Sequence, residues 1–160
     1  MDLFTPTLLS ILILLSSSKE SYNDHHNYTK DISLHEYKSN IINNKSKKWI
    51  IMFHSPNCYH CKQFKPIFNK LAYEKDSSDI VFGSADCTIE TKLCKLLRIN
   101  SYPSLKLIAN QKFIDFKTKR SPENLISFID QPVSNIIGES LPIKEPGVVE
   151  EFLLNVKDVS

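Results

Sequence analysis

The sequence predicts an α/β fold, with a mixed central sheet flanked by helices in the order strand–helix–strand–helix–strand–strand–helix. Three observations carry this reading. Two apolar runs, residues 49–54 and 80–85, each lead into a helix-like stretch, the pattern of parallel strands joined by right-handed crossovers. Two further strand-like runs, 104–109 and 112–117, are separated only by Asn110 and Gln111, which calls for an antiparallel hairpin. The chain has 160 residues, 41% hydrophobic and 24% charged, enough for one domain with a sizeable core.

From the N-terminus, residues 1–18 read as a secretory signal peptide. The apolar run 8–15, followed by Ser16, Ser17 and Ser18, is shorter than the roughly 20 residues a membrane helix needs. No stable membrane span is therefore expected once the signal is cleaved. Residues 19–30 are polar and read as a flexible leader, with His25 and His26 as a solvated pair. The folded domain is expected over 31–130. It starts with a short helix in 31–43, where Ile32, Leu34, Tyr37, Ile41 and Ile42 share one face. Lys45, Lys47 and Lys48 read as a solvated loop before the strand 49–54. That strand is apolar on both faces, as a central strand should be.

Residues 59–73 form a long helix, with Phe64, Ile67, Phe68 and Leu71 turned inward and Pro66 removing one backbone donor. A second buried strand over 80–85 and a short helix over 90–97 follow, then the hairpin. Ser121, Pro122 and Glu123 supply an N-cap, a first-turn proline and a first-turn acid for a last helix ending near Asp130. Residues 131–160 read as an extended C-terminal tail with one short amphipathic helix over 148–156.

The chemistry concentrates in Cys58-Tyr59-His60-Cys61, placed between the first apolar strand and the long helix. Two cysteines two residues apart at a strand-to-helix junction suit thiol–disulfide exchange. A helix N-terminus favours negative charge and hence the thiolate of Cys58. Cys61 lies about one turn on, close enough to attack a mixed disulfide on Cys58, and His60 can carry a positive charge beside it. The formal charge of +2 is too small to argue for nucleic acid or an anionic membrane. A secretory signal implies an oxidising compartment, where the sequons at Asn27 and Asn44 are glycosylation candidates.

These residues carry a family likeness. The chain resembles a single thioredoxin-like domain of the protein disulfide isomerase family, over about residues 31–130. The matching features are Cys58-Tyr59-His60-Cys61-Lys62, Pro66, Ala85-Asp86-Cys87-Thr88, Ser101-Tyr102-Pro103-Ser104, and Phe116 with Arg120 four residues later. The resemblance implies a thioredoxin-like fold and a thiol–disulfide oxidoreductase or isomerase. Cys58 is then the nucleophile and Cys61 the resolving thiol. His60 and Arg120 tune their pKa values, and a stabilised thiolate makes the pair more oxidising. Pro103 is a cis-proline that, with Tyr102 and Tyr59, faces the substrate. The partners implied are cysteine-containing client proteins held through a transient mixed disulfide, and an upstream oxidant or glutathione. No cofactor or metal is expected. The location implied is the endoplasmic reticulum lumen or the exterior, although residues 157–160 are not a standard retention signal.

The resemblance also implies a structural disulfide between Cys87 and Cys94. Seven residues of continuous helix span about 10.5 Å, beyond the roughly 7 Å limit for a bridge. A bridge therefore requires Cys87 at the strand end and a turn before the helix carrying Cys94. Two free buried cysteines are the other possibility.

Three positions depart from the family pattern. Met52 stands where a buried carboxylate accepts the proton of the second cysteine. Asn57 replaces a tryptophan and Tyr59 a glycine. Met52 and Asn57 favour an alternative reading, a thioredoxin-like chaperone or adaptor with weak redox activity. A zinc site using all four cysteines is a further alternative, although the spacing of Cys87 and Cys94 is wider than is usual.

Overall fold

A computed structural model of the protein describes residues 22, 23, 25–77 and 79–141. The expected signal peptide and the expected helix over 148–156 lie outside the described residues. The elements are β1 (Lys30–Asp31), α1 (Leu34–Glu36, continued by a π-helical turn over Tyr37–Ile41), β2 (Lys48–His54), α2 (Tyr59–Glu74), β3 (Ile80–Asp86) and α3 (Thr91–Leu96). Then follow β4 (Ser104–Ala109), β5 (Lys112–Asp115), α4 (Pro122–Asp130), a 3-10 turn (Val133–Asn135) and β6 (Glu139–Ser140). They build a six-stranded sheet in the order β1-β3-β2-β4-β5-β6. The pairs β1–β3 and β2–β3 are parallel, and the others are antiparallel. This is the mixed sheet flanked by helices that the alternation of apolar runs predicts.

β2 explains the layering. Side chains alternate between the faces of a strand. Trp49, Ile51 and Phe53 therefore pack with Tyr37, Leu93 and Leu97 on one face. Ile50 and Met52 pack with Phe64, Phe68, Leu107 and Leu125 on the other. α1 and α3 thus cover one face, and α2 and α4 cover the face that carries the cysteine loop. The Asn110–Gln111 turn has φ of 50° and 61°. Positive φ at both positions is what a two-residue hairpin loop with the right-handed twist of its strands requires.

Four features differ from the sequence expectations. Residues 26–31, expected to belong to a flexible leader and the start of a helix, are held down. The Tyr28 amide donates to Asn69 Oδ1 (2.7 Å), Asn69 Nδ2 donates to the His26 carbonyl (2.7 Å), and Lys30–Asp31 join the sheet. Lys48, expected in a solvated loop, starts β2 and donates through Nζ to the Ile129 carbonyl at 2.9 Å. It thereby caps carbonyls that α4 leaves unpaired. The second hairpin strand stops at Asp115, two residues short of expectation. The first part of the expected tail folds back instead: Ile136 and Leu141 are buried, and Glu139–Ser140 pairs with β5.

Candidate active site

The cysteine loop follows β2 and ends in α2. Cys58 is the N-cap of that 16-residue helix, with extended backbone angles (φ −78°, ψ 115°). Its Sγ accepts a hydrogen bond from the Cys61 amide at 3.2 Å, and the Cys58 amide donates to the Ser55 carbonyl at 3.1 Å. The sulfur therefore occupies the place a capping oxygen usually takes, facing the positive end of the helix dipole. Both cysteines are free thiols. Cys58 is half-buried, whereas Cys61 is only 4% exposed. Burial pushes the Cys61 thiol up to about 11, and its hydrogen bond with Cys58 adds to the rise. A backbone hydrogen bond from Ser55 and the charge of Arg120 pull the other way.

The remaining expected site residues divide into two groups. Near the cysteines, the Tyr102–Pro103 peptide bond is cis. Ser104 pairs with Phe53 in antiparallel register, so the chain enters β4 at the sheet end where β2 delivers the cysteine loop. Arg120 Nη2 donates to the Pro103 carbonyl at 2.7 Å. This cation, expected only beside the second cysteine, also holds the proline loop. Tyr59 is 68% exposed and accepts a hydrogen bond from Gln63 Nε2 at 2.9 Å. Its ring meets that of His60 edge-on at 5.7 Å. Tyr102 is partly exposed at 37%.

The second group is structural or peripheral. Cys87 follows β3 directly, the chain turns through Asp86–Glu90 hydrogen bonds, and Cys94 lies in α3. The two sulfurs are bonded, with Cα atoms 5.7 Å apart. A zinc site drawing on all four thiols is incompatible with that bridge. Among the described residues no group of three or more His, Cys, Asp or Glu side chains is arranged to hold a metal ion. Asn27 is exposed and Asn44 half-buried. The side-chain oxygen of each accepts a hydrogen bond from its own sequon hydroxyl, Thr29 Oγ1 or Ser46 Oγ.

Sequence reasoning passed over two residues at this site. His54 and Asp86 end β2 and β3 and are register partners. They line, with Met52, Cys61, Lys62 and Lys65, a cavity of about 350 Å³ beneath the cysteine loop. Burial pushes the His54 imidazole below its ordinary value; Asp86 and Asp31 draw it up, and Lys65 pushes it further down. Burial also pushes Asp86 up, but the side-chain and backbone hydrogen bonds of Thr88 and the charge of His54 outweigh this and hold it below the usual carboxylate range. The parallel register of β2 and β3 was the missing signal.

Comparison with known proteins places this arrangement. The thioredoxin family profile matches residues 28–131, more than half of the chain. A protein disulfide-isomerase of Drosophila melanogaster is 34% identical over 110 residues, 67% of this chain and 21% of the relative. DnaJ homolog subfamily C member 10 of Rattus norvegicus is 30% identical over 109 residues, 68% of this chain and 14% of the relative. The chain thus spans about a fifth or less of the length of these relatives. Among solved structures, the J-Trx1 fragment of ERdj5 superposes with a TM-score of 0.60 at 27% identity, covering 70% of this chain and 53% of that one. The first thioredoxin domain of mouse protein disulfide-isomerase A4 superposes with a TM-score of 0.61 over 80% of this chain and 96% of that domain. Its 18% identity speaks for the fold alone.

Proposed function

The chain belongs to the thioredoxin family, and from that premise we propose that it is a thiol–disulfide oxidoreductase of the protein disulfide isomerase type, acting on cysteines of secretory-pathway proteins. One observation carries the proposal. Cys58 Sγ caps the first turn of α2 and accepts the Cys61 amide hydrogen, while Cys61 stands buried behind it. A sulfur so placed is the one of the two that a client sulfur can reach, with Cys61 held behind it for the second attack. In the reducing direction Cys58 attacks one sulfur of a client disulfide, and the client's other sulfur leaves as a thiolate. Cys61 then attacks Cys58 Sγ, the second client sulfur leaves, and the pair is oxidised as the client gains two electrons. The reverse sequence inserts a disulfide into a client, and an upstream oxidant or glutathione resets the couple. His60 and Arg120 adjust the two thiols, and Tyr59, Tyr102 and the cis Pro103 form the surface that meets an extended client. The endoplasmic reticulum lumen or the exterior is the compartment of this reading, with Asn27 and Asn44 as its glycosylation sites.

Insulin reduction and reactivation of scrambled ribonuclease test the proposal. The wild-type protein is expected to do both, and Cys58→Ser neither. Failure of the wild type in both assays ends the enzyme reading. It would leave the second one, a thioredoxin-like adaptor or chaperone with weak redox activity. That alternative draws on Met52, which is 1% exposed and offers no proton acceptor beside Cys61.

A further inference from the structure

The proposed couple has a proton to move. Cys61 attacks only as a thiolate, yet burial holds its thiol at about 11. At neutral pH the resolving step therefore needs a base within reach. The cavity of about 350 Å³ beside Cys61 defines the choices. Met52 has no acceptor, and the ammonium groups of Lys62 and Lys65 have no free lone pair. Asp86, held below the usual carboxylate range by the Thr88 hydrogen bonds and His54 against its own burial, is too weak a base. His54 is left. The alternation of β2 turns it to the same face as Ile50 and Met52, under α2, and the register sets it beside Asp86. A cavity of this size also has room for a bridging water.

We propose that His54 accepts the proton of Cys61 in the resolving step, an inference that rests on the function proposed above. The groups facing His54 are Asp86 on β3, Asp31 on β1, Lys62 and Lys65 on α2, and Cys61 itself. Burial, the largest influence, outweighs both carboxylates, so the imidazole is neutral at pH 7 and keeps a ring nitrogen free to take a proton. The step balances. The Cys61 S–H bond breaks and its proton passes to the free imidazole nitrogen, directly or through one water. The Cys61 thiolate then forms the S–S bond with Cys58 as the Cys58–client S–S bond breaks. The departing client thiolate takes up a proton from the imidazolium or solvent.

Stopped-flow reaction of the reduced, full-length protein with dithiobis-nitrobenzoate separates the two thiols. Attack by Cys58 releases the first chromophore and attack by Cys61 the second. In the wild type the second phase is expected to slow as pH falls through the His54 pKa, below the ordinary 6.5. His54→Phe should leave the first phase in place, slow the second by about a hundredfold at pH 7, and abolish that inflection. His54→Gln, which retains a polar side chain, carries the same expectation should the phenylalanine variant not fold. Adding Met52→Glu to either variant places a carboxylate in the same cavity and should restore the second phase. A second phase that keeps the wild-type pH profile without His54, at whatever rate, overturns the inference, and so does a loss that Met52→Glu leaves unrepaired. Absence of the first phase in the wild type removes the proposed function itself and this inference with it.

Discussion

Two cysteines three positions apart have opposite surroundings, and the difference can be read in the stability of the reduced protein. The folded chain holds the Cys61 proton up to about 11, against an ordinary value of 9.0. Between these values the unfolded chain has released its proton and the folded chain has not, so the folded state binds more protons and stability falls as pH rises. Urea melts of reduced wild type and Cys61→Ala at pH 8, 9, 10 and 11 are expected to show a steeper decline in the wild type, confined to that window. Equal slopes would contradict the burial argument. Cys58 and Cys61 were legible in the sequence because short-range spacing identifies them, and the cis Pro103 through the family resemblance alone. His54, Asp86 and Lys48 were not, because each acquires its role from a partner far along the chain. Lys48 reaches the Ile129 carbonyl across 81 positions, and no local pattern announces such a contact.

At the scale of elements, the long strands and α2 were legible because their apolar periods are unbroken. β1 and β6 were not. Each has two exposed residues, Lys30–Asp31 and Glu139–Ser140, too few to show a period of two. Asn69 is a similar case. It reads as one polar residue on a helix, yet it is buried and fixes the segment around Tyr28 through two hydrogen bonds. β6 depends on Gly138, where an added Cβ would collide with the Phe113 carbonyl. Gly138→Ala is therefore expected to dislodge β6 and to lower stability by about 1–3 kcal/mol. Hydrogen exchange should show the loosening in β5, at Lys112 and Phe113, while β2 and β3 stay protected.

Across the whole molecule, the sheet separates two cores, and the Cys87–Cys94 bridge belongs to the one under α1 and α3. The cysteine loop draws on the other, so stability and redox chemistry should separate. Replacing both Cys87 and Cys94 by Ala is expected to lower stability by about 2–3 kcal/mol and the melting temperature by roughly 10 °C. Below that temperature the first phase of the dithiobis-nitrobenzoate reaction should be unchanged. Loss of Cys58 reactivity in a folded double variant would show that the two faces are coupled. The sheet's outer borders bear on aggregation. A flat, exposed border of unpaired backbone invites foreign strands to stack onto it. Among the described residues the outermost strands are the two-residue polar β1 and β6. A sheet bordered in this way gives unfolded, strand-exposing chains little ordered edge on which to stack.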